Sequence, residues 1–173
     1  MEGFDRTQAV TALTLVAVVL AVGLWASSPA GPLAGLFSPL EYDTETVTLT
    51  DSDGQQLATV DVRIADTERE RYVGLSKTAT LDSGEGMLFV HEASADHVYV
   101  MRNMSFALDI IFVDPNGTVT TIHHAPVPER TPESSLVRYR GTGKYVLEVP
   151  RGFANETDIS VGNRMSIPSN EGA

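Results

Sequence analysis

The sequence predicts a mostly β protein of the α+β class, with a compact barrel- or sandwich-like domain that follows one N-terminal transmembrane helix. A length of 173 residues allows one domain and a modest extra segment. The first forty residues are almost free of charge, whereas short alternating runs separated by turn residues fill the rest. About eight short strands and one or two short helices account for these runs.

The N-terminal segment has the composition of a membrane span. No charged side chain occurs from residue 7 to residue 40, and residues 9–26 are almost wholly apolar. As a helix this stretch is about 27 Å long, close to the roughly 30 Å hydrocarbon core of a bilayer. Trp25 stands at its far end, where an interfacial aromatic is expected. We therefore expect residues 9–26 to anchor the chain in the cell membrane.

The flanks of this span suggest its orientation. The next base after Arg6 is Arg63, so the N-terminus is expected in the cytoplasm and the domain outside. The alternative is a secreted protein, cleaved near the small residues 28–30. The predicted organisation is a flank (1–8), an anchor or signal segment (9–26), a Pro/Gly tether (27–40), a β-rich domain (41–167) and a disordered tail (168–173).

The charge and the composition exclude several functions. A formal charge of −11 leaves no basic face for nucleic acid, and the lack of cysteine excludes disulfides, thiol catalysis and cysteine metal sites. Only Lys77 and Lys144 are lysines among 12 bases. This acidic, lysine-poor composition favours a halophilic protein, with an ordinary acidic protein as the alternative.

The predicted strands follow the alternating runs, and turn residues separate them. Asp51–Gly54 forms a hairpin turn, and Thr67 with Glu70 has the spacing of a helix capping box. Residues 125–135 are expected to be a loop. The predicted strands are 46–50, 56–64, 87–90, 97–101, 108–113, 118–123, 144–149 and 161–167.

Signatures of catalysis and of metal binding are absent from the sequence. The histidines are His91, His97, His123 and His124, and none has the spacing of a zinc motif. Neither a nucleophile elbow nor a phosphate-binding loop occurs. We therefore expect neither a metal nor a cofactor, and a protein that is not an enzyme is favoured.

Three Asn-x-Ser/Thr sequons occur, at Asn103, Asn116 and Asn155. Such sequons are acceptors for glycosylation on external domains. Asn116 lies in a predicted hairpin turn and is the most accessible of the three.

One stretch, residues 101–114, places Arg102, Asn103 and Asp109 among bulky apolar residues. A polar group in such surroundings needs a partner, and for Asp109 the natural partner is Arg102 or Arg63. Two interpretations remain open: an internal Arg–Asp pair with Asn103 at a bend, or a polar pocket that binds a ligand.

The same stretch resembles a family of unknown function, and further matches follow in order along the chain. Overall the sequence resembles the domain of unknown function 192 family over about residues 60–167. The resemblance implies a small β-rich domain, often behind a signal or an anchor, with no assigned activity and no catalytic residue to carry over. The matching motifs are Gly74-Leu75, Gly86-Met87-Leu88-Phe89, Met101-Arg102-Asn103, Leu108–Asp114, Tyr145–Val149, Gly152 and Val161-Gly162-Asn163.

The chain departs from the family pattern at three places. Val100 replaces an aromatic residue, the loop at 125–127 lacks the cysteines of many members, and Asn163 replaces an Asp. A redox or metal function through those cysteines is therefore not expected here.

Three functions are compatible with the sequence. The favoured one is non-catalytic binding of a small polar ligand or cell-envelope component, and an alternative is a structural partner of another membrane protein. A further alternative is a hydrolase or lyase that uses Asp109 and Glu148 as acid and base. The candidate site residues are Arg63, Arg102, Asn103, Asp109 and Glu148.

Overall fold

The computed structural model describes residues 40–129 and 132–167, and a compact unit begins at Tyr42. The predicted anchor 9–26, the tether up to residue 39 and the tail 168–173 lie outside the described residues. In the described part of the chain, no helix is long and apolar enough to cross a membrane. The elements are β1 (Thr44–Thr50), β2 (Gln56–Ala65), α1 (Glu68–Val73), β3 (Glu85–Tyr99), β4 (Leu108–Val113), β5 (Val119–Ala125), a 3-10 helix (Glu133–Ser135), β6 (Tyr139–Pro150), α2 (Phe153–Glu156) and β7 (Arg164–Met165).

The described strands form one seven-stranded sheet in the order β5-β4-β6-β3-β2-β1-β7. Only the pair β2 and β3, which α1 connects, is parallel among the pairs of this sheet. The two ends of the order meet: the Val119 N–H donates to the Asn163 carbonyl at 2.9 Å, and the Met165 N–H to the Gly117 carbonyl at 2.7 Å. The single sheet is therefore curved, and a few hydrogen bonds join its two ends into a partly closed barrel. This confirms the barrel-like prediction over a sandwich of two sheets.

Side chains alternate between the two faces of the sheet and form two apolar cores. The inner core contains Val47, Leu49, Val60, Val62, Leu88, Ile111, Val113, Val119, Tyr145, Leu147, Val149, Ala154, Ile159 and Met165. The outer core lies on the opposite face and contains Ala65, Leu75, Met87, Phe89, Met101, Leu108, Ile110, Phe112, Ala125, Tyr139 and Val146. Because β4 and β6 are buried on both faces, they contribute to both cores.

Helix α1 begins as its capping box predicts. The Glu70 N–H donates to the Thr67 hydroxyl at 3.2 Å, and the Thr67 N–H donates to the Glu70 carboxylate at 3.0 Å. Gly74, with a φ of 48°, follows the last turn. The helix therefore lies at a fixed place over the outer core, where it forms one wall of the site described next.

Two predicted strand boundaries were wrong. The predicted strands 87–90 and 97–101 are one strand, β3, because both halves pair with β6 around a bulge. The predicted strand 161–167 is reduced to Arg164–Met165, because Gly162 and Asn163 form a turn that joins the ends of the sheet.

Candidate functional site

A cavity of about 490 Å³ lies over the outer face of the sheet, and α1 forms one of its walls. This volume is in the range of small-molecule sites. Its apolar lining includes Phe89, Met101, Met104 and Leu108. Its polar and charged lining includes Glu68, Arg71, Ser76, His91, His97, Tyr99, Arg102 and Glu148. We call this space the α1 cavity.

Glu148 is the buried acid of the α1 cavity. It lies on β6 with Met87 of β3 and Ile110 of β4 as its cross-strand neighbours, and its exposed fraction is 6%. Burial raises the pKa of its carboxyl to about 8, because an apolar environment disfavours the charged form. The carboxyl is therefore largely protonated at neutral pH and can donate or accept a hydrogen bond.

Two histidines that line the same cavity stack on one another. Residues 91–94 bulge out of the ladder between β3 and β6, which brings the rings of His91 and His97 to 3.6 Å between centroids. Burial, together with the neighbouring His97 and Arg71, lowers the pKa of His91 to about 4. Burial likewise lowers the pKa of His97. Both rings are therefore neutral at pH 7, which allows the close stack.

Tyr99 is hydrogen-bonded to the histidine stack and lies within the electrostatic influence of Glu148. Its hydroxyl lies 2.9 Å from His91 Nε2, and its ring packs edge-on against Phe89. Burial and the Glu148 charge raise the pKa of Tyr99, so the phenol keeps its proton. Among the side-chain polar atoms of the described residues that are themselves fully enclosed, only His97 Nε2 has no hydrogen-bond partner. The α1 cavity therefore combines hydrogen-bonding side chains with apolar ones.

Two arginines line the α1 cavity, and protein groups hold both of them. Arg71 donates to the carbonyls of Asp66 and of Val90, the latter at 2.8 Å. Arg102 donates to the Tyr72 carbonyl, packs over the Tyr72 ring at 4.0 Å and forms an ion pair with Glu133 at 3.4 Å. These contacts fix the walls of the cavity from α1, β3 and the 3-10 helix.

The structure places Asp109 away from this cavity. Its buried carboxylate accepts from His124 Nδ1 at 2.6 Å and from the N–H groups of Gly152 and Ala154 at 3.1 and 3.0 Å. The prediction that an arginine pairs with Asp109 was therefore wrong. Its partners are His124, which lies 15 positions after Asp109, and the first turn of α2, which lies 43–45 positions after it.

The two candidate carboxyl groups face opposite sides of the sheet. Asp109 has the same orientation on β4 as Ile111 of the inner core, whereas Glu148 has the same orientation on β6 as Val146 of the outer core. The structure thus does not bring Asp109 and Glu148 together, and a mechanism that uses them as an acid/base pair has no geometric support.

The remaining candidates lie at separate places. Asn103 has a φ of 55° and forms the bend after Arg102, beside a second, adjoining cavity. Arg63 donates to the Thr78 hydroxyl at 3.3 Å in another depression, near the Tyr42 ring. Of the five candidates, Arg102 and Glu148 line the α1 cavity.

The residues that sequence reasoning missed are Arg71, His91, His97 and Tyr99. His97 and Tyr99 are two positions apart on a strand, which is a signal that they share a face. No such signal exists for His91, because the bulge changes its register. Within residues 40–129 and 132–167, no group of three or more His, Asp or Glu side chains is placed to hold a metal ion.

The fold and the site together define a class: a small, partly closed β-barrel domain with a cavity on its outer face that contains a buried acid. The family model of domain of unknown function 192, described as uncharacterised ACR, matches residues 48–167. The chain belongs to this family, which confirms the resemblance and extends it by about a dozen residues toward the N-terminus.

Two solved structures are similar to this chain. One is a Sinorhizobium meliloti 1021 protein, provisionally described as a transcription regulator, with 28% identity and a TM-score of 0.66 over 75% of this chain and 97% of that chain. The other is a Novosphingobium aromaticivorans DSM 12444 protein of unknown function, with 27% identity and a TM-score of 0.63 over 75% and 90% of the two chains. No curated protein matches the sequence significantly.

Proposed function

We propose that this domain binds a small polar ligand, free or part of a cell-envelope component, in the α1 cavity without catalysing a reaction. The observation that carries the proposal is Glu148, a buried carboxyl on an apolar floor that opens into a cavity of about 490 Å³. A buried acid without a partner lowers stability, so a domain that keeps one at a cavity has the mark of a binding site.

The other groups of the cavity support binding over catalysis. His91 and Tyr99 are hydrogen-bonded to each other, and Arg71 and Arg102 are held by backbone carbonyls and by Glu133. Such fixed groups favour a preorganised pocket, in which little side-chain entropy is lost when a ligand binds.

The location is part of the same proposal. Residues 9–26 anchor the chain in the cell membrane with the N-terminus in the cytoplasm, and the domain lies outside. The exposed positions of Asn103, Asn116 and Asn155 support this orientation, since external asparagines can accept glycans. The charge of −11 supports a salt-rich environment. The melting temperature of the full chain would then rise between about 0.1 M and about 3 M KCl, and a fall would contradict this.

Ligand-observed NMR on the full chain in non-ionic detergent tests the function. A mixture of sugars, amino acids, polyols and amines is screened against the wild type, the cavity-filling variant Met104→Trp and a control, Glu92→Gln, at an exposed position outside the cavity. We expect at least one compound to bind the wild type and the control equally and Met104→Trp at least tenfold more weakly. Binding that Met104→Trp leaves unchanged, or no binding by any compound, contradicts the proposal.

A second candidate function is that of a structural partner for another membrane protein. Its support is exposed apolar surface, because Tyr72 is 69% exposed and Val137 is 63% exposed. A photo-crosslinking residue at position 137 would form one discrete protein adduct in native membranes if this function is correct. If crosslinkers at position 137 and at the exposed control position 92 both give a smear or no adduct, this function is contradicted.

A further inference from the structure

The state of Glu148 indicates which chemistry its ligand has. The carboxyl is more than nine-tenths buried and lines the α1 cavity. Burial alone raises its pKa, and within the described residues no hydrogen bond or basic side chain opposes that effect. Its cross-strand neighbours are Met87 and Ile110, which offer no polar atom in their side chains. The protein thus supplies no compensation for this acid.

The charged groups that face the cavity do not compensate Glu148 either. The charge of Arg71 lowers the pKa values of His91, His97 and Tyr99. Its guanidinium already donates hydrogen bonds to two backbone carbonyls. Arg102 is paired with Glu133 and with the Tyr72 carbonyl. The only other acid in the lining is Glu68, on α1. The uncompensated acid in the lining is therefore Glu148, which accepts hydrogen bonds through both oxygens when it is ionised.

We propose that the α1 cavity takes an amphipathic organic cation, whose ammonium group pairs with the Glu148 carboxylate while its apolar part packs on Phe89, Met101 and Leu108. This inference rests on the proposed function and specifies its ligand class. An ammonium group carries up to three donors and no acceptor, which is the complement of the ionised Glu148 carboxylate. The charge of −11 on the chain favours the approach of a cation and opposes that of an anion.

A cation and a neutral ligand differ in what happens to the proton of Glu148. When an alkylammonium ion binds at about pH 7, the carboxyl gives its proton to the solvent, and the ligand keeps its own charge. The product is an ion pair in the cavity and one released proton. A neutral alcohol instead forms a hydrogen bond with the protonated carboxyl, so no proton is released.

Isothermal titration calorimetry on the full chain in non-ionic detergent distinguishes the two cases. The probes are benzylammonium and hexylammonium, with benzyl alcohol and 1-hexanol as neutral counterparts of the same shape. Each titration is run near pH 7 in phosphate and in HEPES, which contain no primary ammonium group, because the difference in apparent enthalpy between the two buffers reports proton release. We expect the ammonium probes to bind at least tenfold more tightly than the alcohols and to release close to one proton per site.

Two variants locate the effect at Glu148. We expect Glu148→Gln to weaken the ammonium probes at least tenfold and to abolish proton release, whereas the exposed control Glu92→Gln changes neither. Circular dichroism checks that Glu148→Gln is folded. If that variant does not fold, the release of a proton by the wild type and its absence with the alcohols decide the question.

The outcomes separate this inference from the proposed function. If the alcohols or other neutral compounds bind the wild type but not Met104→Trp, and the ammonium probes do not bind, the cation inference is wrong and the cavity function stands. If ammonium probes bind without proton release, or equally well to Glu148→Gln, the cation does not pair with Glu148 and the inference is wrong. If no probe or screened compound binds, both are wrong.

Discussion

Replacement of Asp109 tests the structural interpretation of the polar stretch 101–114. Its carboxylate has no exposed surface and accepts three hydrogen bonds: from His124 Nδ1 at 2.6 Å, from the Gly152 N–H at 3.1 Å and from the Ala154 N–H at 3.0 Å. The last two belong to the first turn of α2, whose N–H groups have no partner within the helix. Asp109 on β4 therefore holds α2 against the sheet.

The size of the effect follows from the donors that lose their acceptor. Asp109→Ala removes the acceptor of two backbone N–H groups and of one imidazole N–H. Each buried donor without an acceptor costs about 1–3 kcal/mol. Water can reach the His124 ring, which is 41% exposed, so we count the two backbone groups and the small cavity and expect a loss of about 3–5 kcal/mol. Asp109→Asn keeps one oxygen for the backbone donors, and we expect about 1–2 kcal/mol.

Urea unfolding of the full chain in non-ionic detergent, followed by far-ultraviolet circular dichroism, measures both values. The matched control is Asp53→Asn, an exposed position in the β1–β2 turn, for which we expect a change within about 0.5 kcal/mol. Unfolding of Asp109→Ala at the same urea concentration as the control would refute this role of Asp109. Such a result would mean that the carboxylate is not needed by α2 and would return Asp109 to the list of functional residues.

Three more outcomes follow from the same geometry. Relative to Glu148→Gln, the wild type should lose about 2 kcal/mol of free energy of unfolding between about pH 6.5 and about pH 8, because the folded protein retains the proton of Glu148 (pKa about 8, against 4.5 when exposed). Urea titrations of both proteins at each pH measure this difference, in which the opposite contribution of His91 and His97, whose pKa values folding lowers, cancels. Gly117→Ala should lower the melting temperature more than Gly54→Ala. Both glycines have positive φ, but only at Gly117 would a Cβ clash with a backbone atom, the Met165 carbonyl oxygen. Equal losses would contradict closure of the sheet at Gly117. Arg102→Ala should cost only about 1 kcal/mol in urea unfolding, because its ion pair is solvent-accessible, and a loss above about 3 kcal/mol would mean that the pair is structural.

Local patterns in the sequence predict much of the fold. Strand β4 coincides with the predicted residues 108–113, because a run of buried apolar residues between turn signals has few other interpretations. The start of α1 was predicted from Thr67 and Glu70, whose capping bonds span only three residues. Such features depend on contacts within a few positions, which a single sequence contains.

The longest strand shows where local patterns fail. Residues 91–96, which include His, Glu, Ser and Asp, interrupt the apolar pattern of 87–90, so β3 was predicted as two strands. Its continuity depends on β6, which pairs with it on both sides of the bulge at residues about fifty positions away. No local signal carries that pairing, and the stack of His91 on His97 depends on it.

The candidate site was predicted in part for the same reason. Arg102 and Glu148 do line one cavity, yet the sequence offered Asp109 as the partner of Arg102, because both lie in one polar stretch among apolar residues. In a β-strand neighbouring positions face opposite sides of the sheet. The pairing of β4 with β6 decides which of these two sides lies under α1. Asp109 and Glu148 consequently face different cores.

The pKa of Glu148 is the most direct test of the account, because the proposed function depends on a buried acid that the protein leaves uncompensated. We would measure it by carbon-13 NMR of the full chain labelled at the glutamate carboxyl, with Glu148→Gln to assign the signal. The account predicts a midpoint of about 8 without ligand and a lower midpoint with saturating benzylammonium. A midpoint at or below 4.5 without ligand would show that the carboxylate already has a partner or reaches water, and it would contradict the account.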